Sequence, residues 1–235
     1  NDAASAIVFD AQACAQISPQ WFEPAAWRAR GALHAMDGGR GGVAVIDTPA
    51  GECVLRHYRR GGMVAGVLGD RYLWTGQART RGFVEFRLLA QIAALHLPAS
   101  VPIAASYVRQ GLFYTAGLIT RRVPGAQTLA QHIDAGTLDA PLLHAVGATV
   151  ARFHRAGIWH ADLNAHNILV NASGVYLIDF DRGRLRPAAS AWRQSNLRRL
   201  RRSLLKLGAD AQGDIAFTST VWQPLLDGYA HGWRA

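Results

Sequence analysis

Short runs of alternating apolar and polar residues, separated by glycine and proline, mark the chain between residues 31 and 58. This pattern is typical of antiparallel strands joined by tight turns. It predicts strands at 31–36, 43–46 and 52–58. We expect an irregular segment with a short helix in residues 1–30, and an exposed loop in residues 59–79, where the apolar positions have no clear period.

Helical periodicity marks three later segments. Apolar residues at spacings of three and four predict a helix from Thr80 to about Leu95, which carries Glu85 on its apolar stripe. The same period predicts helices at about 142–156 and 191–207. Further strands are expected at 106–110, 113–120, 168–170 and 175–178.

The order of these elements indicates an α+β protein with two lobes. Strands and one helix precede the Pro124-Gly125 dipeptide, which is typical of a linker, and helices dominate after it. We therefore predict an N-terminal lobe at 1–123, built from an antiparallel sheet and a helix, and a mainly helical C-terminal lobe at 124–235.

The composition is that of a folded protein with a sizeable core. Half of the 235 residues are hydrophobic and 17% are charged, so the chain has the apolar surface that disordered sequences lack. Neither a membrane-spanning segment nor a secretory signal is expected. The two cysteines, Cys14 and Cys53, lack a metal-binding spacing and are expected to be reduced thiols without a role.

Charge narrows the classes of partner. Lys and Arg number 25 and Asp and Glu number 16, which gives a net charge of +9. This excess predicts an anionic partner: a nucleotide, a phosphorylated substrate, nucleic acid or an acidic membrane surface. Lys206 is the only lysine of the sequence. Chemistry that needs a cation upstream of it must therefore use arginine.

The most specific chemical pattern is the run HADLNAHN at 160–167, followed by Asp179 at the end of a predicted strand. Its spacing matches the H-x-D-x4-N and D-F motifs of phosphotransferases of the protein-kinase superfamily. There, one carboxylate accepts the proton of the attacking hydroxyl, while an amide and a second carboxylate hold Mg²⁺ against the nucleotide phosphates. We predict Asp162 as the base, with Asn167 and Asp179 as metal ligands.

Simpler explanations exist for single residues of this pattern. Aspartate and asparagine often only cap turns, and His160 is expected chiefly to support the backbone of the loop. Asp181 stands where many kinases have glycine, and is either a further metal ligand or a solvated acid. It is the joint spacing of Asp162, Asn167 and Asp179 that indicates a phosphotransferase.

The upstream half fits the same chemistry. Candidate phosphate-binding glycines in the predicted turn are Gly39, Gly41 and Gly42, since glycine lets backbone N–H groups approach phosphate oxygens. Ala44 stands where a full G-x-G-x-x-G motif has its last glycine, so a flexible hairpin turn is the alternative. Arg56 replaces the usual strand lysine, and we predict that it binds the nucleotide phosphates and pairs with Glu85.

The part of the chain after Asp179 narrows the acceptor. It contains no A-P-E motif and is too short for the large helical subdomain with which protein kinases hold peptides. We therefore predict a small-molecule or lipid-linked acceptor.

Five segments together resemble the 3-deoxy-D-manno-octulosonic acid (Kdo) kinase family, and the resemblance covers about residues 30–235. They are VLRHYRRGG at 54–62, DRYLW at 70–74, EFRLL at 85–89, HADLNAHNIL at 160–169 and LIDFDRG at 177–183. The resemblance implies a reduced protein-kinase-like fold of two lobes. It also implies phosphorylation of the Kdo 4-hydroxyl on a lipid A precursor, with ATP and Mg²⁺ as cofactors. It also implies a peripheral protein on the cytoplasmic face of the inner membrane, without a nucleic-acid partner.

Several surface features remain open to two explanations. Arginines that either contact the acidic acceptor or are simply solvated stand at Arg59, Arg60, Arg71, Arg182, Arg184 and Arg186. The basic face from Arg198 to Lys206 either lies on anionic lipid or faces water. Alternative functions are a kinase for another small acceptor, such as a heptose or an aminoglycoside, a nucleotide-binding pseudokinase, or a nucleic-acid-binding protein.

Overall fold

The computed structural model of the protein describes residues 4–35, 42–59 and 70–235. These residues form two compact units. The first is made of the described parts of Asn1–Ala90 and Ser100–Arg122, and the second of Gln91–Ala99 and Val123–Ala235.

The first unit contains a seven-stranded antiparallel sheet. Its strands are β1 (Ser5–Phe9), β2 (Leu33–Ala35), β3 (Val43–Thr48), β4 (Gly51–His57), β5 (Tyr72–Leu73), β6 (Pro102–Gln110) and β7 (Phe113–Arg121). Their order is β1-β6-β7-β4-β3-β2, with β5 paired to β7. Neighbours in sequence pair as hairpins at β3/β4 and β6/β7. These pairs confirm the predicted strands and account for their alternating pattern.

One face of this sheet is covered by the N-terminal segment. Helix α1 (Pro24–Ala29) and a 3₁₀ turn (Pro19–Phe22) bury Trp21, Phe22 and Trp27 in one core with strand residues such as Ile46 and Ile119. The predicted short helix is therefore confirmed. The irregular character expected for all of residues 1–30 is wrong at β1, which pairs with β6 over five residues, because its partner lies about a hundred positions later in the chain.

Helix α2 (Arg81–Ala94) begins against β6 and β7. The ring of Phe83 lies 5.4 Å from that of Tyr107, and the Arg81 backbone N–H donates to the Tyr114 hydroxyl. The helix agrees with the predicted span, and Glu85 is buried as predicted, with 2% of its surface exposed. The exposed loop expected at residues 59–79 agrees with most of its described residues and is wrong at the short strand β5, where Tyr72 is buried.

The second unit is mainly helical. Its helices are α3 (Leu129–Asp134), α4 (Ala140–Arg155), α5 (Ser190–Lys206), α6 (Asp214–Ala216) and α7 (Gln223–Arg234), with a π-helical segment (Phe217–Trp222) between the last two. Its strands are β8 (Gln127–Thr128), β9 (Ile158–Trp159), β10 (Ile168–Asn171), β11 (Gly174–Leu177) and β12 (Arg184–Leu185). They form a sheet of order β11-β10-β8 and a separate β9/β12 pair. The predicted helices at 142–156 and 191–207 are confirmed, and α3 and α7 were not predicted.

Helices α4 and α7 pack with their backbones in contact. A Cβ atom at Gly228 would overlap the carbonyl oxygen of His144, and one at Gly147 would overlap that of Leu225. Only glycine permits this approach, which explains glycine inside two helices despite its poor helix propensity. The close packing fixes α4, whose C-terminal end leads into β9 and the loop that follows. No helix among the described residues is both long enough and apolar enough to cross a membrane.

Candidate active site

The loop between β9 and β10 closes on itself around Asp162. Asn164 accepts hydrogen bonds at Oδ1 from the backbone N–H groups of His166 (2.9 Å) and Asn167 (3.2 Å), and its Nδ2 donates to Asp162 Oδ2 (3.0 Å). The Asn167 side chain donates from Nδ2 to the Asp162 carbonyl oxygen at 2.9 Å. Two of the predicted site residues, Asp162 and Asn167, are thus joined directly. The carboxylate of Asp162 stays 62% exposed on a fixed backbone.

His160 links this loop to the segment that carries Asp179. Its Nδ1 accepts from the Asp162 backbone N–H at 3.1 Å, so the ring proton must be on Nε2, which donates to the Ile178 carbonyl oxygen at 2.9 Å. Burial lowers the pKa of His160, which keeps the imidazole in this neutral form. Both hydrogen bonds of the His160 ring are made with backbone groups, so His160 supports the loop as expected from the sequence.

Asp179 follows β11 in the left-handed backbone region, with φ of 60°. That conformation is uncommon for a residue other than glycine, although aspartate tolerates it better than most. The residues on either side hold it: the Ile178 N–H donates to the Asn167 carbonyl oxygen at 3.0 Å, and Phe180 is buried against the rings of His160 and Phe153. Asp179 and the 160–167 loop therefore form one connected structure.

Oxygen atoms at Asn167 and Asp179 are the kind of ligand that Mg²⁺ prefers. Among the described residues, no group of three or more His, Cys, Asp and Glu side chains forms a metal cluster. A nucleotide-bound Mg²⁺ takes one or two protein carboxylates and fills its other positions with phosphate oxygens and water. The donor set thus fits Mg²⁺. Asp181 has a half-buried carboxylate, with the Arg182 Nε at 4.0 Å.

Helix α5 holds the loop from the other side, through residues that the sequence analysis did not single out. Asn196 Nδ2 donates to the His160 carbonyl oxygen at 2.9 Å, and its Oδ1 accepts from the His160 N–H at 3.3 Å. One turn on, Arg199 Nη1 donates to Asp162 Oδ1 at 3.1 Å. Ser203 Oγ then accepts from the Ala165 N–H at 3.1 Å. The shared signal is polar residues at i, i+3 and i+7 on one helix face.

A buried histidine extends this network towards α7. The His154 ring lies 2.9 Å from the Tyr229 hydroxyl at Nδ1 and 3.4 Å from Asn196 Oδ1 at Nε2. Since Asn196 Oδ1 can only accept, Nε2 carries the ring proton and Nδ1 accepts from the tyrosine. Burial lowers the pKa of His154 to about 4, so the ring is neutral at physiological pH. The same cause raises the pKa of Tyr229.

In the first unit, the predicted pair of Arg56 and Glu85 is present. Arg56 Nη2 donates to Glu85 Oε2 at 2.5 Å, and the Tyr58 hydroxyl donates to the same oxygen at 2.7 Å. The guanidinium of Arg56 also stacks 4.8 Å above the Tyr58 ring. Antiparallel pairing places Arg56 opposite Leu118 of β7 and Val43 of β3. The sequence analysis identified the ion pair but not its tyrosine.

Among the predicted phosphate-binding glycines, Gly39 and Gly41 lie outside the described residues. Gly42 has a φ of 124°, which L-residues rarely adopt, and its carbonyl oxygen accepts from the His57 N–H at 2.9 Å. Of the candidate acceptor arginines, Arg59 lies 3.7 Å from Asp70, and Arg186 stacks on Trp159. Arg60 also lies outside the described part of the chain.

Comparison with known proteins gives matches over most of the chain. Residues 25–229 match the family model described as the lipopolysaccharide kinase (Kdo/WaaP) family. Proteins named 3-deoxy-D-manno-octulosonic acid kinase are similar: that of Xanthomonas oryzae pv. oryzae is 50% identical over 89% of this chain and 84% of its own length, and that of Stenotrophomonas maltophilia is 48% identical over 90% and 86%.

A solved structure shows the same fold. The structure titled "WaaP in complex with acyl carrier protein" aligns with a TM-score of 0.55 at 15% identity, and covers 96% of this chain and 89% of that one. This likeness confirms the predicted α+β, reduced kinase-like fold. The family model matches most of the chain, and the relatives share about half of its residues. The chain therefore belongs to the lipopolysaccharide kinase (Kdo/WaaP) family.

Proposed function

We propose that the protein transfers the γ-phosphoryl group of ATP to the 4-hydroxyl of Kdo on a lipid A precursor. The observation that carries the proposal is the fixed, exposed carboxylate of Asp162, hydrogen-bonded through its loop to Asn167 and, through His160, to the segment of Asp179. The names of relatives about 50% identical supply the acceptor.

Asp162 is the group that receives the acceptor hydroxyl. A general base must lie within about 2.6–3.2 Å of the proton-bearing oxygen, and an exposed carboxylate can admit a sugar hydroxyl to that distance. Asn164 donates to Oδ2 and thereby fixes the plane of the carboxylate. Because His160 and Asn196 hold the loop backbone, little reorganisation is needed when the hydroxyl arrives.

Asn167 and Asp179 are the residues that would hold Mg²⁺. The bound ion would neutralise charge that develops on the phosphates during transfer. The chain keeps both oxygen donors in place through the Asn167 bond to Asp162 and the Ile178 bond to Asn167. Gly39, Gly41 and Gly42 are proposed to approach the phosphates, as in other kinases.

Arg56 is proposed to bind the nucleotide phosphates in place of lysine. Its partner Glu85 is buried and also accepts from Tyr58, so the guanidinium is held in place, and the planar N–H fork of an arginine suits a phosphate. The pair thus supports an active kinase rather than a pseudokinase. We also propose that the protein acts at the cytoplasmic face of the inner membrane, against an anionic surface, with no nucleic-acid partner.

Transfer of label from γ-³²P-ATP, with Mg²⁺, to a Kdo-bearing lipid A precursor tests the proposal. The wild-type protein is expected to label the lipid, and Asp162→Asn to lower turnover by about 10²–10⁴ while nucleotide affinity is kept. Asp179→Ala should abolish transfer. Asp227→Asn removes an exposed carboxylate that contacts Gln223 on α7 and should behave as wild type.

Each other outcome of that assay has a definite meaning. Wild-type-like turnover in Asp162→Asn would remove Asp162 from the role of base. ATP binding without label on this lipid would contradict the acceptor, and a screen of other sugars would then separate a different sugar kinase from a pseudokinase.

A further inference from the structure

We infer that Arg199 binds the carboxylate of the acceptor sugar and so selects an acidic sugar for the hydroxyl that Asp162 receives. This inference rests on the proposed function, and it names a residue that the kinase motifs do not contain. It begins from the 3.1 Å hydrogen bond between Arg199 Nη1 and Asp162 Oδ1.

The pair itself is poorly suited to a structural role. The side chains of Arg199 and Asp162 are 46% and 62% exposed, and an ion pair so exposed to water contributes little to stability. It is also readily exchanged for another partner. Of the basic side chains that the structure describes, Arg199 is the one that forms an ion pair with Asp162.

The position of Arg199 is nevertheless set by rigid structure. Asn196 and Ser203, on the same helix face, hold the backbone at His160 and Ala165. Leu197, Leu200 and Leu204 are buried and anchor the adjacent side of the helix. Arg199 is therefore fixed on a helix rather than on a loop, as a specificity residue must be.

Distance then connects this arginine to the acceptor. A hydroxyl that gives its proton to Asp162 lies at about 2.6–3.2 Å from the carboxylate, and Arg199 donates to that same carboxylate. A sugar bound there is thus within reach of the guanidinium. An ulosonic acid such as Kdo carries its own carboxylate on the ring, close to its hydroxyls.

The chemistry of arginine suits such a ligand. A guanidinium has five N–H donors in a planar fork, of which the bond to Asp162 uses one. The remaining donors can form the paired hydrogen bonds with a second carboxylate that arginine favours. A carboxylate on the acceptor also compensates the charge of Arg199 when Asp162 turns to the hydroxyl.

The test compares two acceptors in detergent: the Kdo-bearing lipid A precursor and the same molecule with its carboxylate converted to a carboxamide. The wild-type protein is expected to prefer the carboxylate in kcat/KM by about 10- to 100-fold, the usual range for a charged hydrogen bond. Arg199→Gln should raise KM for the carboxylate acceptor by the same factor, leave KM for ATP unchanged, and lose the preference.

A matched variant removes an arginine from the same unit. Arg234→Gln takes away an exposed arginine at the end of α7 and should keep the wild-type preference. Arg199→Lys keeps the charge but loses the planar fork, and should fall between wild type and Arg199→Gln. Thermal unfolding of each variant checks that it folds.

Four results would overturn the inference. A wild-type protein that does not discriminate between the two acceptors refutes it without any mutation. An equal fall in kcat for both acceptors in Arg199→Gln would mean that Arg199 only positions Asp162. A raised KM for ATP in the same variant would mean that Arg199 binds the nucleotide and not the acceptor. Absence of transfer to either acceptor by the wild-type protein refutes the proposed function, and this inference with it.

Discussion

Two buried histidines, His154 and His160, support the structure as neutral rings. His160 and His154 each accept a hydrogen bond at one nitrogen and donate from the other, and both are buried. A proton added to His160 would turn its accepting nitrogen into a donor that faces the Asp162 backbone N–H, and one added to His154 would require the Tyr229 hydroxyl to turn and accept. The site network therefore depends on pH through groups that take no part in proton transfer.

His154 makes this dependence measurable as stability. Its pKa is about 4 in the folded protein, against 6.5 for an ordinary histidine. Between those values the unfolded chain binds a proton that the folded protein does not, so the free energy of unfolding falls as the pH falls. The loss attributable to His154 reaches about 2 kcal/mol at pH 5.

Urea unfolding at pH 7.5 and pH 5.0 measures that loss. His154→Gln removes the titrating group, and its free energy of unfolding should fall about 2 kcal/mol less between the two pH values than that of the wild type. His166→Gln removes an exposed histidine and should keep the wild-type dependence. An unchanged fall in His154→Gln would assign the pH dependence to other groups.

Residues that belong to local patterns were the predictable ones. Asp162, Asn167 and Asp179 lie within one short stretch of sequence, so their spacing can be recognised directly. The pairing of Arg56 with Glu85 was predicted from the third strand and the helix that follows it. Arg199 differs because α5 carries several other basic residues with the same local surroundings. Only tertiary packing decides which of them meets a carboxylate 37 positions earlier.

At the scale of elements, helix α5 acts as the support of the catalytic loop. Its apolar period was enough to predict the helix, because Leu197, Leu200 and Leu204 repeat on one side. The polar residues of α5 that hold the loop were not predictable, because the loop lies far from α5 in the sequence. For the same reason β1 was missed, as its five residues gain strand structure only from pairing with β6.

Loss of the α5 contacts should loosen the loop before it unfolds the protein. Asn196→Ala leaves the backbone N–H and C=O of His160 without their side-chain partner, at about 1–3 kcal/mol for each buried group left unpaired. We expect lower stability and a kcat reduced at least tenfold. Ser203→Ala frees the Ala165 N–H alone and should have a smaller effect.

Amide hydrogen exchange reads out this change directly. The amide of Ala165 should exchange faster in Ser203→Ala, and those of His160 and Ala165 both faster in Asn196→Ala. Ser219→Ala serves as control because Ser219 bonds only to carbonyl oxygens of its own helical stretch. Unchanged exchange at Ala165 in Ser203→Ala would show that α5 does not hold the loop.

At the scale of the whole molecule, the cations that give the chain its net charge of +9 differ in what they contact. On α5, Arg193 stacks on Trp233, Arg201 lies over Phe217, and Arg199 pairs with Asp162. The cations of α5 left exposed to water are Arg198, Arg202 and Lys206. The structure therefore narrows the basic face of this helix to three side chains, which the sequence alone does not separate from their neighbours.

If those three side chains lie on anionic lipid, each contributes about 1 kcal/mol to membrane binding. Replacing Arg198, Arg202 and Lys206 by glutamine should then weaken binding to vesicles with 30% anionic lipid by about 100-fold, measured by flotation. A triple variant of Arg28, Arg79 and Arg121, exposed residues of the first unit, lowers the net charge equally. If the α5 face alone contacts the lipid, this control should lose little binding, whereas equal losses in both variants would mean that net charge alone attracts the protein to lipid.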